Sequence, residues 1–502
     1  MSFTGPGVYV EEIPSGGRPV EPVATSVTAF VGWARRGPVD RAVEVAGLAG
    51  FENVFGPLWA ESGLGYAVRA FFANGGTEAV VVRVDDGSAT AEVDLGGGFA
   101  LEALGLGTWA NDLVVGVAHP GPDEAAAVAL AQGLPDGDAV FTLWLTLDGR
   151  TEVFPHVTSV DGPRRVDTVL ESSALARVSG AVPAERPAAG TYLVTSPGRD
   201  GAAPGGDAYV PAGGGAGGIR ALDAVETLNL LVLPPVSPSG RLPDEVWAPA
   251  LEYARERQAF LIVDPPPGLP GPQIPAWLAG VGLRGPTARN AAVYHPRVDQ
   301  SDPLDGGAVR SFAASGAVAG VYARTDAARG VWKAAAGTEA TLVDVLGPSV
   351  GLTDVESGEL NPLGINVVRA FPGYGTVVWG ARTLAGADAL ADEYRYVPVR
   401  RLALHIGASL ERGLQWAAFE PNDEPLWARL RVAVEAFLHD LFRQGAFAGR
   451  TPDEAFFVTC DTETTSQADV TGGFVNVLVG FAPLKPAEFV ILHIRQRTAG
   501  HR

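Results

Sequence analysis

The stretch that decides the fold runs from residue 229 to 267, NLLVLPPVSPSGRLPDEVWAPALEYARERQAFLIVDPPP. NLLVLPPV and AFLIVDPPP are short apolar runs, the form taken by strands buried on both faces. Each run exits into prolines, which lack the N–H a ladder needs. Between them EVWAPALEYARERQ carries its apolar residues at helical spacing. Two apolar strands joined by a helix form a βαβ unit, since parallel neighbours need a crossover of a dozen or more residues. NAAVYHPRV and SGAVAGVYARTDAARGVWKAAAG continue the pattern, so an α/β domain is expected over 223–365.

On the N-terminal side the pattern changes twice. A glycine-rich stretch, GAAPGGDAYVPAGGGAGGIRAL at 201–222, has the composition of a flexible loop. Before it, residues 86–200 hold short strand-like runs such as FTLWLTLDG and TYLVTSPG, with few helix signals, which points to an inserted β-sandwich-like domain. Residues 21–85 alternate again: a strand through Val27 to Trp33, two glycine-terminated helices in GLAGFENVFGPL and LGYAVRAFFANGG, and the valine-rich strand of TEAVVVRVDD.

On the C-terminal side, residues 366–481 contain the longest helix signal. In LWARLRVAVEAFLHDLFRQGAFAG, Leu426, Leu430, Val434, Phe437, Leu438 and Leu441 fall on one stripe, with Gly445 as the stop. AFFVTCD, FVNVLVGFAP and FVILHI supply three strands. The last contains Phe489, Val490, Ile491, Leu492 and Ile494, and Pro483 and Pro486 set it apart. Near residue 1, Val8, Tyr9 and Val10 form a second short strand between prolines. Strands this apolar cannot stand unpaired in water. Pairing within the subunit and donation to a neighbour's sheet both satisfy them.

Composition narrows the function. The chain has 502 residues, a 47% apolar fraction and a 19% charged fraction, which describes a globular protein of several domains. A formal charge of −20 argues against nucleic acid as partner, because phosphate needs a basic face. Residues 370–502 hold 13 Arg or Lys against 15 Asp or Glu, a net of −2, so this quarter can approach another surface without strong repulsion. Nearly all basic charge is arginine, with lysine only at 333 and 485, in keeping with a GC-rich bacterial genome. No apolar run reaches the ~18 residues of a membrane span, and the start lacks a signal peptide's basic and apolar regions. The single cysteine, Cys460, rules out an internal disulfide.

Catalytic signals are sparse. Asp264 and His295 follow strands and suggest two-thirds of a hydrolase triad, but no G-x-S-x-G elbow supplies a nucleophile. Asp264 reads as an ordinary strand exit. Gly105-Leu-Gly107-Thr-Trp-Ala110 matches a loose dinucleotide pattern and is followed by strand, not helix, so it fails in context. HExxH and CxxC are absent, and the acids Asp461, Glu463 and Asp469 lack EF-hand spacing. No cofactor, metal or catalytic residue is expected.

Several long blocks resemble the contractile phage-tail sheath family, in the family's order. They are PGVYVEEIPSGGRPVEPVATSVTAFVGWARRGPV at the start, VYARTDAARGVWKAAAG at 321–337 and LNPLGINVVRAFPGYGTVVWGARTL at 360–384. YVPVRRL (396–402), GLQWAAFEPNDEPLW (413–427), GAFAGRTPDEAFFV (445–458) and APLKPAEFVILHI (482–494) follow. The resemblance implies a structural protein of phage tails, R-type bacteriocins or related injection systems, assembled in the bacterial cytoplasm and in some systems released. Its subunits would stack as hexameric rings around an inner tube, meet baseplate and terminal cap proteins, and contract to drive the tube through a target envelope. Direct membrane insertion is not implied.

The implied layout is an α+β and α/β multidomain chain. A core domain comes from 21–85 and 366–481, with domains inserted between, an N-terminal arm over 1–20 and a C-terminal arm over 482–502. In this family the arms enter sheets of neighbouring subunits, which chooses donation for both terminal strands. For the inner surface, the helix at 426–443 is expected to present Arg429, Arg431 and Arg443 to an acidic tube. The alternative is that these arginines pair with local acids.

Overall fold

The computed structural model describes residues 19–486, so the arm strands at Val8, Tyr9 and Val10 and at Phe489, Val490, Ile491, Leu492 and Ile494 lie outside the described residues. The chain divides into two units. The larger holds residues 26–324 and 335–392, and the smaller holds the segment ending at 25, residues 325–334 and the chain from 393.

The larger unit is organised by an eight-stranded sheet. Its order is Gly375–Trp379, Ile365–Phe371, Ala291–His295, Phe260–Val263, Leu230–Val232, Thr28–Trp33, Glu78–Val84 and Ala42–Ala46. The six inner strands run parallel and the two edge strands antiparallel. The residues of TAFVGW, LLV, FLIV and AAVYH are all buried, as expected where both faces of a parallel sheet are covered. The helix Trp247–Glu256 is the crossover expected between the second and third of these, and it buries Trp247, Leu251 and Tyr253.

This sheet corrects the division drawn from sequence. Thr28 aligns with Leu230 on one side and Ala79 on the other, so the 26–85 segment supplies part of the same sheet as 223–365. The strands Ile365–Phe371 and Gly375–Trp379 also belong to it. The reason is physical: Thr28–Trp33 is apolar on both faces and needs a parallel neighbour on each side, and local pattern cannot say which distant strand provides one.

Residues 90–193 form the expected sandwich-like part. A three-stranded sheet (Thr90–Asp94, Ala100–Leu106, Ala176–Ser179) and a four-stranded sheet (Gly190–Leu193, Val114–Ala118, Val140–Leu147, Arg150–Thr158) share one core. Phe99, Leu101, Val115, Phe141, Leu143 and Leu145 fill it. Along VFTLWLTL the burial alternates, with one face to this core.

The glycine-rich 201–222 stretch departs from the flexible loop expected. Tyr209 is fully buried, and Ile219 and Leu222 join the core beneath the large sheet. Gly218 has φ +58°, and a Cβ there would lie 2.1 Å from the Tyr209 carbonyl oxygen. The glycine here permits close backbone approach rather than freedom.

The smaller unit has two long helices, Val397–Gly413 and Glu424–Arg443, and a hairpin of Phe456–Thr459 with Leu478–Phe481. Leu402, Ile406, Val434, Phe437, Leu438, Leu441 and Phe447 form its core together with Val20 and Val331. The stripe expected on the second helix is buried throughout. Asp423 starts that helix by accepting the Leu426 N–H at 3.1 Å, and Gly445, at φ +82°, follows its end.

Candidate functional site

For a protein read as a polymer, the site to build is where the described chain begins and ends, at residues 19–25 and around 478–486. On the N-terminal side that place is the helix Val397–Gly413. Arg401, His405, Ser409 and Gly413 recur every four residues and so lie on one face. The segment 19–25 is fastened along this face. Arg401 donates to the Thr25 carbonyl at 2.9 Å, and the Val23 N–H donates to Ser409 Oγ at 3.1 Å. Val20 rests on Gly413, where a Cβ would come within 2.8 Å of its side chain. Polar groups fix the segment's register, and a glycine makes room for its apolar end.

Arg401 also clasps Asp326. Two N···O contacts of 3.0 and 2.6 Å make a bidentate pair whose side chains are 5% and 2% exposed. Burying both charges is costly, so the fork geometry and the added bond to Thr25 are needed to satisfy the guanidinium. His405 sits one turn on. Burial first, and the neighbouring Arg401 charge second, push its pKa down to about 4, so the ring is neutral at pH 7.

On the C-terminal side the site is the hairpin. Its register pairs Phe456 with Phe481, Phe457 with Gly480, Val458 with Val479, and Thr459 with Leu478. Phe456 and Phe481 turn toward Phe447, with ring centroids 6.1 and 5.7 Å away, and tie the hairpin to the core. The other face is open: Phe457 is 55% exposed and Leu478 54%. The Phe457 ring lies over Gly480, filling the gap that a missing side chain leaves. Beyond the second strand the Ala448 N–H donates to the Ala482 carbonyl at 2.9 Å, which holds the chain a few residues before the 487–502 segment.

Among the described residues this sheet has two strands only. Two-stranded sheets are marginal in water, and their edges present unpaired N–H and C=O groups to any strand that arrives. The roots of both terminal segments therefore lie in one unit, against one hydrophobic core that includes Val20 and Phe447.

The three arginines expected to face a tube each have a carboxylate nearby. Arg429 pairs with Glu420 at 2.8 Å and lies over the Trp416 ring. Arg431 pairs with Glu424 at 2.7 Å and bonds the Cys460 carbonyl, and Arg443 pairs with Asp440. Exposure of the arginine side chains runs from 28% to 67%, so they remain at the surface while paired.

The weaker candidates resolve into structural roles. Asp264 Oδ1 accepts the N–H groups of Ala314 and Ser315 at 3.1 and 3.0 Å, capping the helix Ser315–Arg329. Burial raises its pKa, and no hydrogen bond joins it to His295, whose own pKa burial lowers. An aspartate committed to a helix end does not orient an imidazole as a triad requires. Asp461 accepts from the N–H groups of Glu463 and Thr464 within its own loop, and Asp469 closes a capping box with Ser466. Among the described residues no cluster of His, Cys, Asp and Glu has the arrangement of a metal site, and no helix is long and apolar enough to cross a membrane. Gly105 and Leu106 end the strand Ala100–Leu106 and a single helical turn, Thr108–Ala110, follows; Trp109 Nε1 donates to Gly105 O at 3.2 Å, and the next element is the strand Val114–Ala118.

The polar face on Val397–Gly413 escaped the sequence reading. The signal was there, since Arg401, His405 and Ser409 share the spacing that apolar residues use on a buried face.

No curated protein matches the chain in sequence. Its fold is similar to the sheath complex of PVC, an extracellular contractile injection system, in the contracted state, with TM-score 0.58 and 24% identity over 99% of both chains. It is similar to the contracted helical sheath of the anti-feeding prophage (AFP), with TM-score 0.58 and 25% identity over 99% of this chain and 100% of that one. It also matches a sheath tail protein from Listeria innocua, with TM-score 0.60 and 14% identity over 93% of this chain and 96% of that one. Residues 215–384 match the phage tail sheath protein central domain and residues 391–497 the phage tail sheath C-terminal domain, together more than half of the chain. The chain therefore belongs to the phage tail sheath protein family.

Proposed function

We propose that the chain is the subunit of a contractile sheath, stacked in hexameric rings around an inner tube and linked through its two ends. The strand at Val8 to Val10 of one copy and the strand at Phe489 to Ile494 of another add to the edges of a neighbour's hairpin. The observation that carries this reading is the hairpin itself, which among the described residues has two strands and an exposed apolar face, in the unit that also holds residues 19–25. Contraction repacks subunits while the strand links persist, so the free energy of the process is the difference between two subunit packings. This is a mechanical role, and no observation favours the alternative of a hydrolase. Assembly takes place in the bacterial cytoplasm, with tube, baseplate and cap proteins as partners.

The strength of one link is modest. Phe489, Val490, Ile491, Leu492 and Ile494 gain roughly 8–15 kcal/mol on full burial, at about 1.5–3 kcal/mol each. Ordering some nine residues costs roughly 9–18 kcal/mol. Backbone pairing adds about 0.5–1.5 kcal/mol per bond, which leaves a single arm near balance. Cohesion then comes from many arms engaged at once around a ring.

The test is truncation. Chains lacking 487–502, or lacking 1–14, are expected to give soluble, folded subunits by circular dichroism and sedimentation, with no long striated tubes in the electron microscope. Full-length tubes from either truncated chain would sink the donated-strand link. An unfolded truncated monomer would instead place the strands within their own subunit.

A further inference from the structure

The larger unit contains a cavity of about 850 Å³ that the sheath reading leaves unused. It lies at the carboxyl ends of two neighbouring parallel strands, Phe260–Val263 and Ala291–His295, where open α/β sheets hold their ligands. Its lining includes proline rings, among them Pro238, Pro265, Pro266 and Pro296, and the apolar side chains of Val350, Leu352 and Leu360.

The polar group in this apolar setting is Arg297. It is 7% exposed, and its hydrogen bonds all go to neutral groups. Its terminal nitrogens donate to three backbone carbonyls, those of Gly240, Pro238 and Ser311, and its Nε has no partner. Asp264 acts on it only through its field. A guanidinium withdrawn from water, hydrogen-bonded only to neutral carbonyls and met by Asp264 only across space, is under-compensated, and an anion in the cavity would repair the deficit. The other charges at the cavity are differently placed. Arg310 already pairs with Asp302 at 3.0 Å. Glu356 is occupied by its capping box with Thr353, and Glu359 is exposed. His295 is buried, and burial favours its neutral form.

We infer that this cavity is a binding site for a small apolar carboxylate, its hydrocarbon part held against the lining prolines, Leu352 and Leu360, its carboxylate directed to Arg297. The size suits a single- or double-ring molecule, since ligand pockets commonly run about 300–1,000 Å³. Proline faces and leucine side chains select for flat apolar groups, and the arginine selects for the anion.

The full-length chain is titrated calorimetrically with 2-naphthoate and, separately, with its neutral counterpart 2-naphthalenemethanol. Naphthoate is expected to bind about tenfold or more tightly than the alcohol. Arg297→Gln should bring the two probes to similar affinity. Because that change also removes bonds to three carbonyls, Leu352→Trp serves as a second variant. It fills the cavity from its partly exposed wall and should abolish naphthoate binding while circular dichroism stays native. Equal binding of acid and alcohol by the wild type, absence of naphthoate binding, or unchanged naphthoate binding in Leu352→Trp would each overturn the inference. None of these outcomes depends on sheath assembly.

Discussion

Two of the sheets of this protein, the largest and the smallest, differ at their edges. The eight-stranded sheet is completed by its own chain: its six parallel strands lie inside, and each border is closed by an antiparallel strand, Gly375–Trp379 on one side and Ala42–Ala46 on the other. The hairpin Phe456–Thr459 with Leu478–Phe481 has two strands among the described residues and exposes Phe457 and Leu478. One sheet is a finished core. The other, on the function proposed above, is a template for a neighbour's strand, which is what a polymer with exchangeable neighbours requires. Apolar residues in the two places should therefore answer to different measurements.

The largest effect expected on folding is in the finished sheet. Phe30 is fully buried and meets Phe71 edge to face, with centroids 5.3 Å apart. Phe30→Ala should cost about 3–5 kcal/mol in denaturant unfolding. Phe457→Ser should cost under about 1 kcal/mol in the same experiment, because more than half of the ring is already in water. Its effect should appear instead in tube formation seen by electron microscopy. The contrast breaks if Phe457→Ser unfolds the subunit as Phe30→Ala does, or if it assembles like wild type.

Next comes the clasp that seats the N-terminal segment. Arg401→Met leaves Asp326 buried without its partner, for which about 3–5 kcal/mol is expected. The loss should be confined to the smaller unit, with faster amide exchange along Val397–Gly413 and little change in the strands Thr28–Trp33 and Phe260–Val263. Uniformly faster exchange across both would show that the clasp stabilises the whole chain and not the seat alone.

His405 offers a milder probe of the same seat. Its pKa lies at about 4 in the folded protein, below the ordinary 6.5. The unfolded chain therefore takes up the proton first as pH falls. The stabilising contribution is complete above pH 6.5, declines below it and is exhausted near pH 4. Between about pH 7 and pH 5 the loss from this residue is about 2 kcal/mol. His405→Gln should flatten that part of the stability profile, and an equally steep decline in the variant would assign the effect to other groups.

These seats also show how far sequence carries. The helix Glu424–Arg443 was legible because its stripe, Leu426 through Leu441, is periodic and local. The βαβ unit was legible for the same reason, since Leu230–Val232, Trp247–Glu256 and Phe260–Val263 are contiguous in the chain. The pairing of Thr28 with Leu230 spans some two hundred residues and leaves no mark on either strand's composition. Tyr209 looked like part of a flexible stretch because one aromatic among glycines has no period, although it is fully buried. At the candidate site, the apolar terminal strands announced a need for partners. The edge proposed for them did not, because Phe456–Thr459 reads as an ordinary strand until its sheet proves to have only one neighbour for it among the described residues.

The smallest effect on the subunit, and the finest test of what the smaller unit presents, concerns Arg429, Arg431 and Arg443. Their ion pairs with Glu420, Glu424 and Asp440 are solvent-exposed, so each is worth about 0.2–1 kcal/mol to the fold. Replacing all three by glutamate should cost little stability. It should, however, shift the net charge of residues 370–502 from about −2 to about −8. If the helix faces an acidic tube, that change introduces repulsion at the contact, and co-purification with tube protein should fall at low salt. Added salt should restore part of it, since screening at about 0.15 M limits such forces to about 8 Å. If tube association is unchanged at low salt, the arginines serve their local carboxylates alone and another surface meets the tube. Each guanidinium already has an acid of its own, so tube contact requires the tube's carboxylates to share it or displace the local one. The triple variant with Glu420, Glu424 and Asp440 neutralised instead should then bind the tube more strongly than wild type, because it frees the arginines without reversing them.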